Sequence, residues 1–228
     1  MSRAVWCGLI AFAVAAIGYA QDPLKLPGKN YSVAFENKDV TVIRAHYGPH
    51  EKIPVHDHDG FATVFVYLSD SGAVRIDHVR EDGKVVPVTR PPTVKGAFRI
   101  APGMAEKHSI ENLGELPSDF LRVELKGVAL KLDEPFRGKA PASLAASADT
   151  VEFDQQGVKV ERIVCVGAEA CEVKAESGGS LVVAITSLAM GPEKVDAGEV
   201  KWVKAGEAVK VKAEGGGVAH LLRIAAYK

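Results

Sequence analysis

VHDHDGFATVFVYLSDSG, residues 55–72, decides how this chain is read. From Phe61 to Leu68 it is a short β-branched and aromatic run, closed by Ser69-Asp70-Ser71-Gly72, the signature of a strand running into a turn. Just before it stand two histidines one residue apart, interleaved with two aspartates. Residues two apart on a strand share a face, so His56 and His58 point one way and Asp57 and Asp59 the other. If the histidine face is an interior, the pair is half of a metal site.

The surrounding sequence has the same texture. VTVIRA (40–45), AVRIDHV (73–79), KVVPV (84–88), AFRI (97–100) and FLRVELK (120–126) are short runs rich in Val, Ile and Phe, broken by Gly, Pro, Asp and Asn. They show no sustained 3.6-residue apolar period, so the pattern predicts an all-β sandwich or barrel. One stretch, PASLAASA (141–148), permits a helix but has few large apolar residues.

The chain also repeats itself. VAFENKDVTVIR (33–44) aligns with VEFDQQGVKVER (151–162) at an offset of 118, pairing Phe35 with Phe153, Val42 with Val160 and Arg44 with Arg162. GAFRIAPG (96–103) matches GEVKWVKAG (198–206) with one inserted residue, and FLRVELK matches LLRIAAYK (221–228). Two copies of one unit are implied. The sequence thus predicts a first barrel over 30–130, a Pro- and Ala-rich linker over 131–150, and a second barrel over 151–228.

In that frame, GPHEKIPVHDHDGFATVFVYLSDSG (48–72) and GAFRIAPGMAEKHSIENLG (96–114) resemble the two motifs of the cupin superfamily. Gly48, His56, His58 and Gly72 answer the first motif, and Gly96, Pro102, Gly103, His108 and Asn112 the second. The resemblance implies two tandem small antiparallel jelly-roll barrels. It also implies a divalent ion (Zn, Fe, Ni, Cu or Mn) held by His56, His58 and His108 in the first. Where the family carries a glutamate ligand, this chain has Thr63, which leaves three imidazoles and a more electrophilic site. Three-histidine iron sites occur within the superfamily in thiol dioxygenases. Glu106, two residues before His108, is a candidate fourth ligand or catalytic base if its segment is already extended.

Other histidines read differently. His46 and His50 lie near a turn and are expected at the surface, as is His78 at a strand end. His220 falls in the strand that answers FLRVELK and matches no ligand. In the second copy, numbering at the 118 offset sets Lys174 and Glu176 against His56 and His58, anchoring on Gly167 gives Ala175 and Ser177, and Val211 answers His108. Every alignment leaves the second barrel without ligand histidines.

Composition limits the rest. A net charge of −1 with 28 basic and 29 acidic residues and no basic cluster gives no footprint for nucleic acid. Arg3, the apolar run Ala4–Ile17 and Gly18-Tyr19-Ala20 read as a signal peptide over 1–20, implying an exported protein, periplasmic or secreted, with no membrane association after cleavage. Cys165 and Cys171 then sit in an oxidising compartment, as a disulfide across a Gly-containing turn or as two buried thiols. Three functions fit: a metal-dependent oxygenase, isomerase or lyase of a small anionic metabolite; a non-catalytic binder of a sugar or other small molecule; or a metal-sequestering or structural module. A homodimer formed through the second barrel fits any of them.

Overall fold

The structure, a computed structural model, describes residues 22–26, 28, 30–167 and 169–227 of the 228-residue chain. The expected signal peptide, 1–20, lies outside them. The first half carries β1 (Tyr31–Glu36), β2 (Val40–Tyr47), β3 (Lys52–His58), β4 (Ala62–Tyr67), β5 (Val74–Val79), β6 (Val85–Arg90), β7 (Phe98–Ala101), β8 (Glu106–Asn112), β9 (Ser118–Leu125) and β10 (Phe136–Gly138). The second carries β11 (Ala148–Gln155), β12 (Val158–Val166), β13 (Cys171–Lys174), β14 (Ser180–Ala184), β15 (Leu188–Met190), β16 (Glu193–Val195), β17 (Val200–Val203), β18 (Ala208–Ala213) and β19 (Val218–Ala226).

The two halves have one topology. In the first, β1-β2-β9-β4-β7-β10 face β3-β8-β5-β6; in the second, β11-β12-β19-β14-β17 face β13-β18-β15-β16. Removing β10 makes the orders identical, strand for strand. Even an irregularity is duplicated: the register slips between Val33 and Phe35 in β1 and between Val151 and Phe153 in β11, 118 residues on. All the strand pairs are antiparallel, as jelly-roll barrels require.

Residues 131–150 are more than a linker. β10 lies inside that stretch and adds an edge to the first barrel's sheet, and β11 begins at Ala148. Phe136 is the reason: its ring meets Phe98 at 5.8 Å and Phe153 at 5.1 Å, so burying it pins the connection against both halves. The 141–148 stretch forms no helix, consistent with its lack of an apolar face to bury.

The larger sheets of the two barrels pack against each other. Val42, Val64, Val66, Ile100, Leu121 and Val123 of the first share one core with Phe153, Val160, Leu181, Val183, Leu222 and Ile224 of the second. Phe35 stacks on Trp202 with centroids 6.2 Å apart. Each such fully buried aliphatic side chain contributes about 1.5–3 kcal/mol. Both faces of the six-stranded sheet are therefore buried, one against this interface and the other, with Tyr47, Phe65 and Phe120, inside the first barrel.

Candidate metal centre

The centre is built on β3 and β8. β3 carries a bulge between Ile53 and His56, which shifts the alternation so that Ile53, His56 and His58 all turn inward while Asp57 is exposed. Pro54 sits in that bulge, where a strand tolerates a missing N–H, and its carbonyl accepts a 2.8 Å hydrogen bond from His56 Nδ1. That bond fixes the tautomer and leaves the Nε2 lone pair facing the interior. Across the ladder, His56 lies opposite His108 and His58 opposite Glu106.

The three rings converge. Their centroids are 4.8–5.1 Å apart and their ligand nitrogens all lie within 4.8 Å of one another, with every ring buried. Burial lowers the basicity of all three, most strongly for His58 and to about 2 for His108, so the rings stand neutral with lone pairs free. Nδ1 of His108 is buried without a hydrogen-bond partner. A neutral imidazole trio with an orphaned nitrogen suits a divalent transition metal.

Thr63 lies in the interior on β4, but its hydroxyl donates to the Phe61 carbonyl at 2.9 Å and adds nothing to the trio. Glu106 is already extended, as the first residue of β8, with Oε2 3.6 Å from His108 Nδ1. It lines the small cavity beside His58 and His108, and also an open groove with His78, Met104 and Lys107.

His46 and His50 are at the surface, paired with Asp119 and Glu115. His78 is not the surface residue its strand-end position suggests. It lies directly opposite His108 between β5 and β8, half-buried, with ring centroids 5.5 Å apart. The signal was in the sequence: Val74, Ile76 and His78 alternate onto one inward face. His220 is buried against Arg162 on β19 of the second barrel and is not part of the trio.

Sequence reasoning passed over the polar lining of this barrel. Tyr31 on β1 bonds through its hydroxyl to Tyr47 at 2.9 Å and to His56 Nε2 at 3.1 Å. Burial, then the Tyr47 charge, raises the Tyr31 phenol well above its ordinary range, and burial raises Tyr47. Arg90, Arg99 and Arg122 surround the Phe65 ring at 5.5, 4.3 and 5.6 Å. Arg122 is paired with Glu124 at 2.8 Å, whereas Arg99 Nε is buried without a partner. The interior thus carries surplus positive charge.

In the second barrel the ladder pairs Cys171 with Val211 and Val173 with Val209, where the first pairs His56 with His108 and His58 with Glu106. Val211, the residue the sequence sets against His108, is buried and apolar on β18, and β13, Cys171–Lys174, carries no histidine. Cys171 is bonded to Cys165 of β12, joining the two sheets over an apolar interior of Ile163, Val173, Val182, Leu188 and Leu221.

No family model matches the chain, and no curated protein does. Solved structures match its fold. AerE from Microcystis aeruginosa superposes with a TM-score of 0.63 at 10% identity, covering 92% of this chain and 98% of its own. The pirin YhhW from Escherichia coli, solved in complex with nickel(II), gives 0.59 at 10% identity over the same shares. Bacillus subtilis oxalate decarboxylase, which has Mn(II) centres, gives 0.56 at 14% identity, covering 83% of this chain and 69% of its own. With two jelly-roll barrels of one topology and these structural likenesses, the chain has the cupin fold.

Proposed function

We propose that the first barrel holds one divalent metal ion on His56, His58 and His108 and is a metal-dependent enzyme, an oxygenase, isomerase or lyase, acting on a small anionic metabolite. The observation that carries this reading is the convergence of three buried histidine nitrogens within 4.8 Å. When bound, the ion would supply Lewis acidity and an electrophilic centre undiminished by a carboxylate ligand. The chain's own groups do the rest. Pro54 holds His56 in its ligating tautomer. Arg90, which lines the cavity beside His58 and His108, favours an anion there, and Arg99, over the Phe65 ring, adds to the positive charge of the interior. Glu106, at the boundary between cavity and groove with Oε2 3.6 Å from His108 Nδ1, is the acid or base.

A second reading is a binding or metal-sequestering module, and one observation favours it: the cavity beside the histidines is only about 20 Å³, room for roughly one water. Under the first reading the substrate approaches from the groove at Met104 and Glu106, which shares Glu106 with the cavity. Arg3 and the apolar run that follows it in the sequence support an exported protein under either reading.

Metal content tests the centre. The purified chain should carry one divalent ion, and His56→Ala or His108→Ala should lose it; two ions per chain, or retention by both variants, refutes the site. Oxygen uptake by the metal-loaded protein with thiol, phenolic and keto-acid compounds, together with loss of turnover in Glu106→Gln, separates enzyme from binder. Silence across that panel favours the second reading.

A further inference from the structure

We infer that Tyr31 is the fourth donor of the metal centre, binding the ion through its phenol oxygen in the place the missing carboxylate leaves open. The inference rests on the three-histidine reading and goes beyond it by naming an oxygen ligand from β1, outside both histidine-bearing segments.

Geometry comes first. The Tyr31 oxygen is 3.1 Å from His56 Nε2. Two donors that share an ion at about 2.0–2.1 Å from each stand roughly 3.0–3.4 Å apart in common coordination geometries. The oxygen is therefore already at a ligand-to-ligand distance. It is closer to His56 than Glu106 Oε2 is to His108, and Thr63 is turned away to Phe61.

Competition for one lone pair comes second. Nδ1 of His56 is committed to Pro54, so Nε2 is the nitrogen left both for the Tyr31 hydroxyl and for an ion. The Tyr31 and Tyr47 hydroxyls share two protons and His56 Nε2 is the acceptor beyond the pair, so an ion that takes Nε2 leaves one of those protons without an acceptor, which is costly when buried, about 1–3 kcal/mol. Tyr31 resolves this by binding the ion itself. Its O–H bond breaks as the oxygen-to-metal bond forms, and the proton leaves to solvent. Tyr47, 2.9 Å away, keeps a hydroxyl to donate to the resulting phenolate. No oxidant or co-reactant is involved.

The test uses copper(II), which imidazole sites bind strongly. The full chain is dialysed against copper(II), its metal content measured, and its visible absorption and resonance Raman spectra recorded beside those of Tyr31→Phe and Tyr47→Phe. The expected result is one copper per chain in all three. A phenolate-to-copper charge-transfer band with enhanced phenolate ring vibrations should appear in the wild type and Tyr47→Phe and be absent from Tyr31→Phe. One copper per chain without that band in the wild type overturns the role of Tyr31 and leaves the histidine site standing. A band that persists in Tyr31→Phe also overturns it. No bound copper overturns the histidine site and Tyr31 with it.

Discussion

Arg162 of the second barrel donates from Nη1 to the carbonyl of Gly96 in the first at 2.8 Å. The relationship is reciprocal: Arg44, 118 residues earlier, donates to the carbonyl of Gly198, the residue that answers Gly96 in the repeat. Each barrel thus reaches across with the same arginine to hold the same turn of the other. That is the pattern of a two-fold interface between copies of one unit, here closed within a single chain.

The two latches are unequal. Arg162 is buried and also engages Glu152, the Lys139 carbonyl and His220 Nε2. Arg44 is half-buried, and among the described residues its side chain makes one hydrogen bond, to Gly198. Arg162→Ala strands several buried partners and should cost about 3 kcal/mol, whereas Arg44→Ala should cost about 1 kcal/mol. Urea unfolding followed by tryptophan fluorescence of Trp202 measures both; equal losses, or a larger one for Arg44, contradict the asymmetry.

Strand positions, the repeat and the histidine trio were legible because each is written in local spacing: period-two alternation, a constant offset, two motifs with fixed turns. What was illegible depended on what covers a face. In FLRVELK the apolar Leu121, Val123 and Leu125 look like the inward set, yet they face the other barrel, while Phe120, Arg122 and Glu124 line the interior. Alternation reports two faces, and it does not say which one is the barrel lumen when both are buried. For the same reason Tyr31, far from either motif, could not be assigned to the centre before β1 was placed.

Gly103 is where the β7–β8 turn meets the β3–β4 turn. A Cβ there would lie 2.3 Å from the Gly60 carbonyl oxygen and 3.0 Å from the Ala62 nitrogen, both rigid backbone. Gly103→Ala must push apart the turns that bracket the histidines, costing about 1–3 kcal/mol. Calorimetric titration with zinc should show weaker binding in the same variant. Unchanged affinity together with lowered stability would detach the turn from the metal site.

The Cys165–Cys171 bond closes a short loop, six residues apart, in the barrel without ligands. Chain entropy gives such a loop about 2 kcal/mol of stabilisation. The Cys165→Ala/Cys171→Ala double variant should lose about that much stability, unfold at a lower temperature, and bind the same single ion as the wild type. A loss of metal in this variant would show that the second barrel shapes the first one's site.

His220 provides a pH test away from the metal centre. Burial first, then the charges of Arg162 and Lys95, hold its pKa down at about 4, against about 6.5 in an unfolded chain. Between those values the unfolded chain takes up a proton that the folded chain refuses, so stability falls as pH drops from about 6.5 to about 4. His56, His58 and His108 shift in the same direction and add to the overall slope. The informative quantity is therefore the difference from His220→Gln, whose amide oxygen can still accept from Arg162. Measured with a chelator present, the wild type should lose more stability than the variant across that window. Parallel curves would mean that His220 is protonated in the folded protein and that Arg162, 2.7 Å away, does not keep it neutral.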